Sequence, residues 1–192
     1  MAAKVVLPRL RWQPSPNQSE RRAPVTLVVA HRWGIKPEPA QPGANVAYQG
    51  VCDYLCQPSA QASAHIVYGG SLVGEATQLV PWGRKAWAQA HYNSVADSIE
   101  YSDAIWSYGY EEGFRVAARI AAFRLHKRGL PAVWVHGDAL LAGAHGITRH
   151  YDLGALGGGH TDPTLSTELW LEFMALVKSE LKRGRFRRNW GR

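Results

Sequence analysis

The chain has 192 residues, 46% of them apolar and 19% charged, with a formal net charge of +7. That apolar share supports one domain with a real core and excludes wholesale disorder. No uninterrupted apolar stretch approaches the ~18 residues of a membrane-spanning helix, and the opening MAAKVVLPRLRWQPSPNQSERR lacks the apolar segment and cleavage site of a secretory signal, so none is expected. The charge is concentrated at one end. Residues 178–192 hold seven Lys/Arg and one acid, or +6, which leaves +1 for the first 177 residues. Such an end suits an anionic polymer or membrane.

Residues 1–24 carry four Arg and little periodicity and read as an extended lead-in. Val25–Ala30 (VTLVVA) is a continuous β-branched run typical of a buried strand and delivers His31 at its end. Three Pro and two Gly between residues 34 and 43 mark a loop. Ala47, Val51, Tyr54 and Leu55 recur at helical spacing, so a helix is expected over 44–56, stopped by Pro58. Cys52 and Cys56 are too few for a disulfide framework. Four apart on that helix they are poorly placed to bridge, and read as small buried groups, with a metal or redox role as the alternative.

Short strands are expected at 64–68, 76–80 and 98–101, the first closed by Gly69-Gly70. Residues 111–128 form the longest helical signal. Phe114, Ala118, Ala121 and Leu125 make its stripe, Val116, Ile120 and Phe123 widen it, and Gly129 and Pro131 end it. AVWV at 132–135 reads as a buried strand, and the glycine-rich 137–163 as mostly loop. A last helix starts near Thr164 or Ser166, with Leu169, Phe173, Leu176 and Val177 inward. The alternation predicts an α/β fold, a mixed central β-sheet flanked by helices. The expected division is a lead-in over 1–24, a catalytic domain over 25–177 and a cationic tail over 178–192.

Eight histidines are the unusual feature. His31 ends a buried strand, His150 precedes an Asp and a glycine loop, and Asp162 sits in H-T-D-P beyond it. Two imidazoles and a carboxylate can make a three-ligand zinc site with an open fourth position. Their spacing matches no short zinc motif, and histidines bonded to backbone at a strand end and in a loop remain the alternative.

The segments VTLVVAHRWG, YQGVCDYL, ASAHIVYGG, ATQLVPWGRKAWA, HYN with SIEYS, and GITRHYDLGALGGGHTDP follow one another in a specific order. In that order the chain resembles the zinc-dependent N-acetylmuramoyl-L-alanine amidases of the peptidoglycan-recognition-protein and phage-lysozyme type, from about Val25 to Pro163. The resemblance implies Zn2+ held by His31, His150 and Asp162. It also implies Glu100, in SIEY, as the acid–base group, with Tyr68, Tyr92 and Tyr101 as weaker candidates. Many relatives carry Lys two residues before the ligand Asp; this chain has His160 there, as oxyanion donor or, less simply, as a ligand in place of Asp162. His65, and His91 and Asn93 of HYN, are implied as substrate-binding, with a structural role the alternative for each. His136 and His145 read as structural. The eight Trp, Trp33, Trp82 and Trp87 among them, could stack on sugars, though core packing is their default.

The resemblance thus implies a hydrolase acting on bacterial peptidoglycan at the bond between N-acetylmuramic acid and L-alanine. The small size, the absent signal and the basic tail suggest a phage or prophage endolysin, held in the host cytoplasm before release to the wall. A cytoplasmic muropeptide-recycling amidase and a non-catalytic recognition module are the alternatives. No nucleic-acid partner is expected, because the charge sits at one end and no binding motif appears.

Overall fold

A computed structural model of the chain describes residues 5–34, 44–70, 73–106, 111–184, 186 and 190–191, the side chains of 44–46 excepted. Among the described residues eight strands form: β1 (Arg9–Trp12), β2 (Gln18–Glu20), β3 (Leu27–Trp33), β4 (Ile66–Tyr68), β5 (Glu75–Gln78), β6 (Arg84–Ala86), β7 (Ala96–Ser102) and β8 (Gly146–Arg149). The helices are α1 (Ala44–Leu55), α2 (Glu111–Arg128), the single turn α3 (Asp138–Leu141) and α4 (Thr167–Arg183). Six strands make a mixed sheet in the order β1-β5-β4-β7-β3-β8, and β2 pairs with β6 beside it. Within the large sheet β4 and β5 pair antiparallel and the other described neighbours pair parallel, so β1 and β5 run opposite to the rest. The expected α/β fold with a mixed sheet between helices is the one observed. Among the described residues no helix is long and apolar enough to cross a membrane.

Strand alternation decides which face each functional residue occupies. In β3, Val28 and Ala30 join the core under α2 and α4, whereas Leu27 and Val29 join a second core with Tyr92, Val135 and Leu153. His31 keeps the parity of Leu27 and Val29 and so faces away from α2. In β7, Ile99 and Tyr101 pack toward α2, which sends Glu100 to the same side as His31. The register sets His31 directly opposite Glu100. In β8, Ile147 packs toward α2, and His150 follows the last residue of the strand. The C-terminal ends of three adjacent parallel strands therefore meet on the face α2 does not cover.

Helix α2 matches its expected bounds and is buried through Ala117–Leu125 on all sides, Arg119 and Arg124 included. Ser166 caps α4 through its hydroxyl, which accepts from Leu169 N. Trp106, Phe114, Trp170 and Phe173 interlock between α2, α4 and the turn after β7. The inward face of α4 is Trp170, Phe173, Met174 and Val177; Leu169 and Leu176 are only half-buried.

Four expectations differ from the structure. AVWV is not a buried strand: Val133 is exposed, and only Trp134 bridges, to Ile147. The strand lies instead at β8 within the glycine-rich stretch, where a Cβ on Gly146 would lie 2.3 Å from Val133 O. The lead-in over 1–24 is part of the domain, since β1 extends the main sheet in register with β5. Its polar side chains take up backbone groups elsewhere: Ser15 Oγ donates to Leu55 O, and Asn17 Nδ2 to Gln57 O and Ala62 O.

The tail is likewise not separate from residue 178 onward. Helix α4 runs to Arg183, and buried Glu180 pairs with Arg119 and Arg183. Phe186 packs on Phe123 and His126. Trp190 is 6% exposed, meets Phe123 edge-to-face and donates to Pro8 O at 2.9 Å. Two aromatic side chains of the basic end are thus spent on the core. Arg185, Arg187, Arg188 and Arg192 lie outside the described residues, as do residues 35–43 of the expected loop.

Candidate metal centre

The three residues proposed as ligands converge. One ligand atom from each of His31, His150 and Asp162 lies within 4.8 Å of the others. Asp162 Oδ1 is 3.2 Å from His150 Nδ1, and Asp162 Oδ2 is 3.9 Å from His31 Nδ1. Bonds of about 2.1 Å at tetrahedral angles set ligand atoms about 3.4 Å apart, so small adjustments would close these donors on one ion. The two imidazoles sit with ring centroids 4.3 Å apart.

Outside the cluster each ring is held by its other nitrogen. His31 Nε2 meets Gln89 Oε1 at 3.2 Å, and His150 Nε2 meets Gly157 O at 2.8 Å. An oxygen at Nε2 fixes the proton there and leaves a lone pair on each Nδ1, turned toward Asp162. His150 Nδ1 is buried and finds no hydrogen-bond partner among the described residues. An orphaned acceptor of this kind beside a second imidazole and a carboxylate fits a metal ion.

Asp162 is anchored at both ends: Oδ2 accepts from the Arg32 amide at 3.0 Å, and its carbonyl accepts from Tyr151 N at 2.8 Å. Burial alone would raise its carboxyl, but the His150 ring, the His31 charge and the Arg32 amide outweigh that and hold it below the ordinary carboxylate range. Burial, reinforced by neighbouring His150, drives His31 well below the usual imidazole value. His31 is therefore a neutral imidazole and Asp162 a carboxylate, the forms that bind metal.

Glu100 Oε1 stands 3.9 Å from His31 Nδ1. Burial, then the charge of Asp162, pushes its carboxyl up to about 8. A carboxyl near neutrality beside a metal-competent cluster is placed for proton transfer. His160 lies at the rim: its side chain is 62% exposed, it stacks over His150 with centroids 4.5 Å apart, and its Nδ1 is 4.0 Å from Asp162 Oδ1. It belongs to the site's edge rather than to the converged set.

Other expected residues go elsewhere. His65 is 0% exposed and does not line a cleft. Its Nδ1 accepts from Ser98 N, its Nε2 meets Arg84 O, and its ring stacks on Trp82. Asn93 turns inward too: its Oδ1 accepts from Ala88 N and Gln89 N at 2.9 and 2.7 Å. Neither side chain is free to bind substrate as expected. His91 is exposed at the edge of Tyr92. Tyr68, Tyr92 and Tyr101 are buried, and Tyr101 donates to Ala117 O, whereas Glu100 stands beside the cluster. Trp33 donates to Tyr68 O and Trp87 to Ser19 Oγ.

Two contributors had no sequence signal. Gln89 and Gly157 hold the imidazoles through side-chain and backbone oxygens, which follow no motif. Gly157 has a steric reason in the structure: a Cβ there would lie 2.4 Å from Leu153 Cβ.

Fold and site together define an α/β domain with a metal-competent His–His–Asp cluster at the C-terminal ends of parallel strands. No protein-family model and no curated protein matches the sequence. Solved structures do match. The hydrolase AmiA of Staphylococcus aureus, in complex with its ligand, superposes with a TM-score of 0.66 at 17% identity, over 96% of this chain and 89% of that one. AmpD matches with 0.57 at 22% identity, over 92% and 99%. A mutant endolysin from Bacillus subtilis matches with 0.58 at 14% identity, over 89% and 99%. The chain has the fold of these proteins, which is the fold its ordered motifs led us to expect.

Proposed function

We propose that the protein is a zinc-dependent peptidoglycan amidase that cleaves the amide between the lactyl group of N-acetylmuramic acid and L-alanine of the stem peptide. The observation that carries the proposal is the convergence of His31 Nδ1, His150 Nδ1 and Asp162, with the His150 atom buried and unpartnered, beside Glu100. The fold shared with AmiA, AmpD and an endolysin supports the same reading.

His31, His150 and Asp162 would hold the ion and leave one position open. Bound there, zinc supplies a Lewis acid that polarises the scissile carbonyl and makes water acidic enough to attack near neutral pH. Glu100 takes the proton of the attacking water and returns it to the departing amine of L-alanine. Its place beside the ligand set, with Oε1 3.9 Å from His31 Nδ1, suits both halves of that transfer. His160, exposed beside His150, donates a hydrogen bond to the oxyanion of the tetrahedral intermediate. The Gln89 and Gly157 oxygens keep the two imidazoles oriented.

An endolysin acting on the wall is the context we favour, because the net charge of +7 would draw the protein to anionic wall polymers or membrane. A muropeptide-recycling amidase would share the site. Metal analysis of the purified parent and of His31→Ala, His150→Ala and Asp162→Ala tests the centre: one zinc per parent chain is expected, and little in any variant. Stoichiometric zinc in Asp162→Ala together with its loss in His160→Ala would reassign the third ligand. Activity on intact sacculi supports the endolysin context; activity confined to soluble muropeptides supports recycling.

A further inference from the structure

Gln89 makes a contact whose chemistry is unusual for so buried a side chain. It is 0% exposed, its Oε1 is 3.2 Å from His31 Nε2, and its Nε2 finds no hydrogen-bond partner among the described residues. Half of a buried amide is left unsatisfied, a costly arrangement, while the other half meets one imidazole. The backbone around it is tied down. Asn93 Oδ1 accepts from both Gln89 N and Ala88 N. Ala90, the next residue, is held at φ +43°, a left-handed conformation that alanine seldom adopts.

We infer that Gln89 is a positioning residue that selects the His31 tautomer able to bind metal. An amide oxygen at Nε2 accepts that nitrogen's proton, so the Nδ1 lone pair faces Asp162 and His150. With the amide reversed, its NH2 would need a lone pair on Nε2. The ring proton would then sit on Nδ1, toward Asp162 Oδ2 and Glu100 Oε1, each 3.9 Å away, and the ligand position would be blocked. His150 needs no such side chain, because Gly157 O does the same for its Nε2. The two imidazoles are thus set by different means, one by a backbone carbonyl and one by a side chain that Asn93 positions. Outer groups of this kind are worth 10–100-fold in metal affinity.

The inference rests on the metal reading above, and its test separates the two. In zinc-free protein, long-range nitrogen–proton NMR reads the His31 tautomer. The parent should show the proton on Nε2, Gln89→Glu, which keeps an acceptor, should retain it, and Gln89→Leu, which has none, should lose it. Zinc competition with a chromogenic chelator should show affinity roughly 10–100-fold weaker in Gln89→Leu, and within a few-fold of parent in Gln89→Glu. Parent-like tautomer and affinity in a folded Gln89→Leu would overturn the inference. If Gln89→Leu does not fold, Gln89→Glu decides: loss of the Nε2 proton there overturns it, and retention upholds it. If the parent binds no zinc the metal reading falls, and the tautomer alone decides for Gln89.

Discussion

Asp97 should be the most sensitive residue for stability, although it takes no part in the chemistry. It lies fully buried in β7 with Arg124 Nη2 at 2.6 Å, Arg128 Nε at 2.8 Å and Arg21 Nη2 at 3.1 Å. The guanidinium of Arg124 lies 3.5 Å over the Trp82 ring, whose neighbour is His65. One carboxylate thus compensates three guanidiniums, two of them buried, and joins the lead-in, the sheet and α2. Asp97→Asn keeps the shape and removes that compensation. Breaking a buried ion pair on one side costs about 3–5 kcal/mol, a large part of the ~5–15 kcal/mol that holds a domain folded. Urea denaturation at neutral pH should show that loss.

The pH dependence follows from the same groups. The neighbouring charges of His65, Arg124 and Arg128 overcome burial and hold the Asp97 carboxyl below its usual range. Its contribution is therefore complete above the unfolded value near 3.8 and declines as pH falls below it, by ~1.4 kcal/mol per pH unit. Burial lowers His65 to about 4 despite Asp97; its unfolded form takes up a proton first, so the parent also weakens between ~6.5 and 4. The gap between parent and Asp97→Asn should narrow below pH ~4, while the folded variant keeps its zinc. A loss under 1 kcal/mol at neutral pH, or a gap that widens in acid, would refute the reasoning.

Three further outcomes are expected. Glu100→Gln should keep zinc but lower turnover by roughly 10²–10⁴ in a muropeptide assay; near-parental turnover would remove Glu100 from the proton transfer. If the imidazole at 160 donates to the oxyanion, His160→Ala should keep zinc and lose turnover in the same assay, and His160→Lys, which retains a donor, should recover part of it; parental turnover in His160→Ala would make His160 a bystander. Trp190→Ala should cost about 3–5 kcal/mol in thermal or urea unfolding, since the indole is buried against Phe123 and bonded to Pro8 O; an unchanged midpoint would show the C-terminal segment to be separable after all.

The parts of the fold legible in the sequence were those with a strong period or a long apolar run. VTLVVA became β3, and the stripe of 111–128 became α2 at its expected bounds. The parts that escaped are stabilised by contacts without a period. Strand β1 is a four-residue edge whose partner lies more than sixty residues on. Strand β8 is hidden among glycines, one of which is needed for close approach to Val133. In the C-terminal segment the charge run masked Phe186 and Trp190, whose burial depends on a surface provided by α2. At the site, His31, His150, Asp162 and Glu100 were visible through ordered motifs, and strand parity explains why His31 and Glu100 share a face. His65 and Asn93 carried the same kind of motif signal, yet fold inward. Gln89 acts through one hydrogen bond to a residue 58 positions away, which no local pattern encodes.

The most direct test of the account is mass spectrometry of the products released from purified peptidoglycan by zinc-loaded protein, beside a chelator-treated sample and Glu100→Gln. The account predicts stem peptides with a free L-alanine amino group and glycan strands with intact lactyl groups, formed by the loaded parent and nearly absent from both controls. Cleavage within the glycan or between stem-peptide residues, or equal release after the metal is stripped, would contradict it.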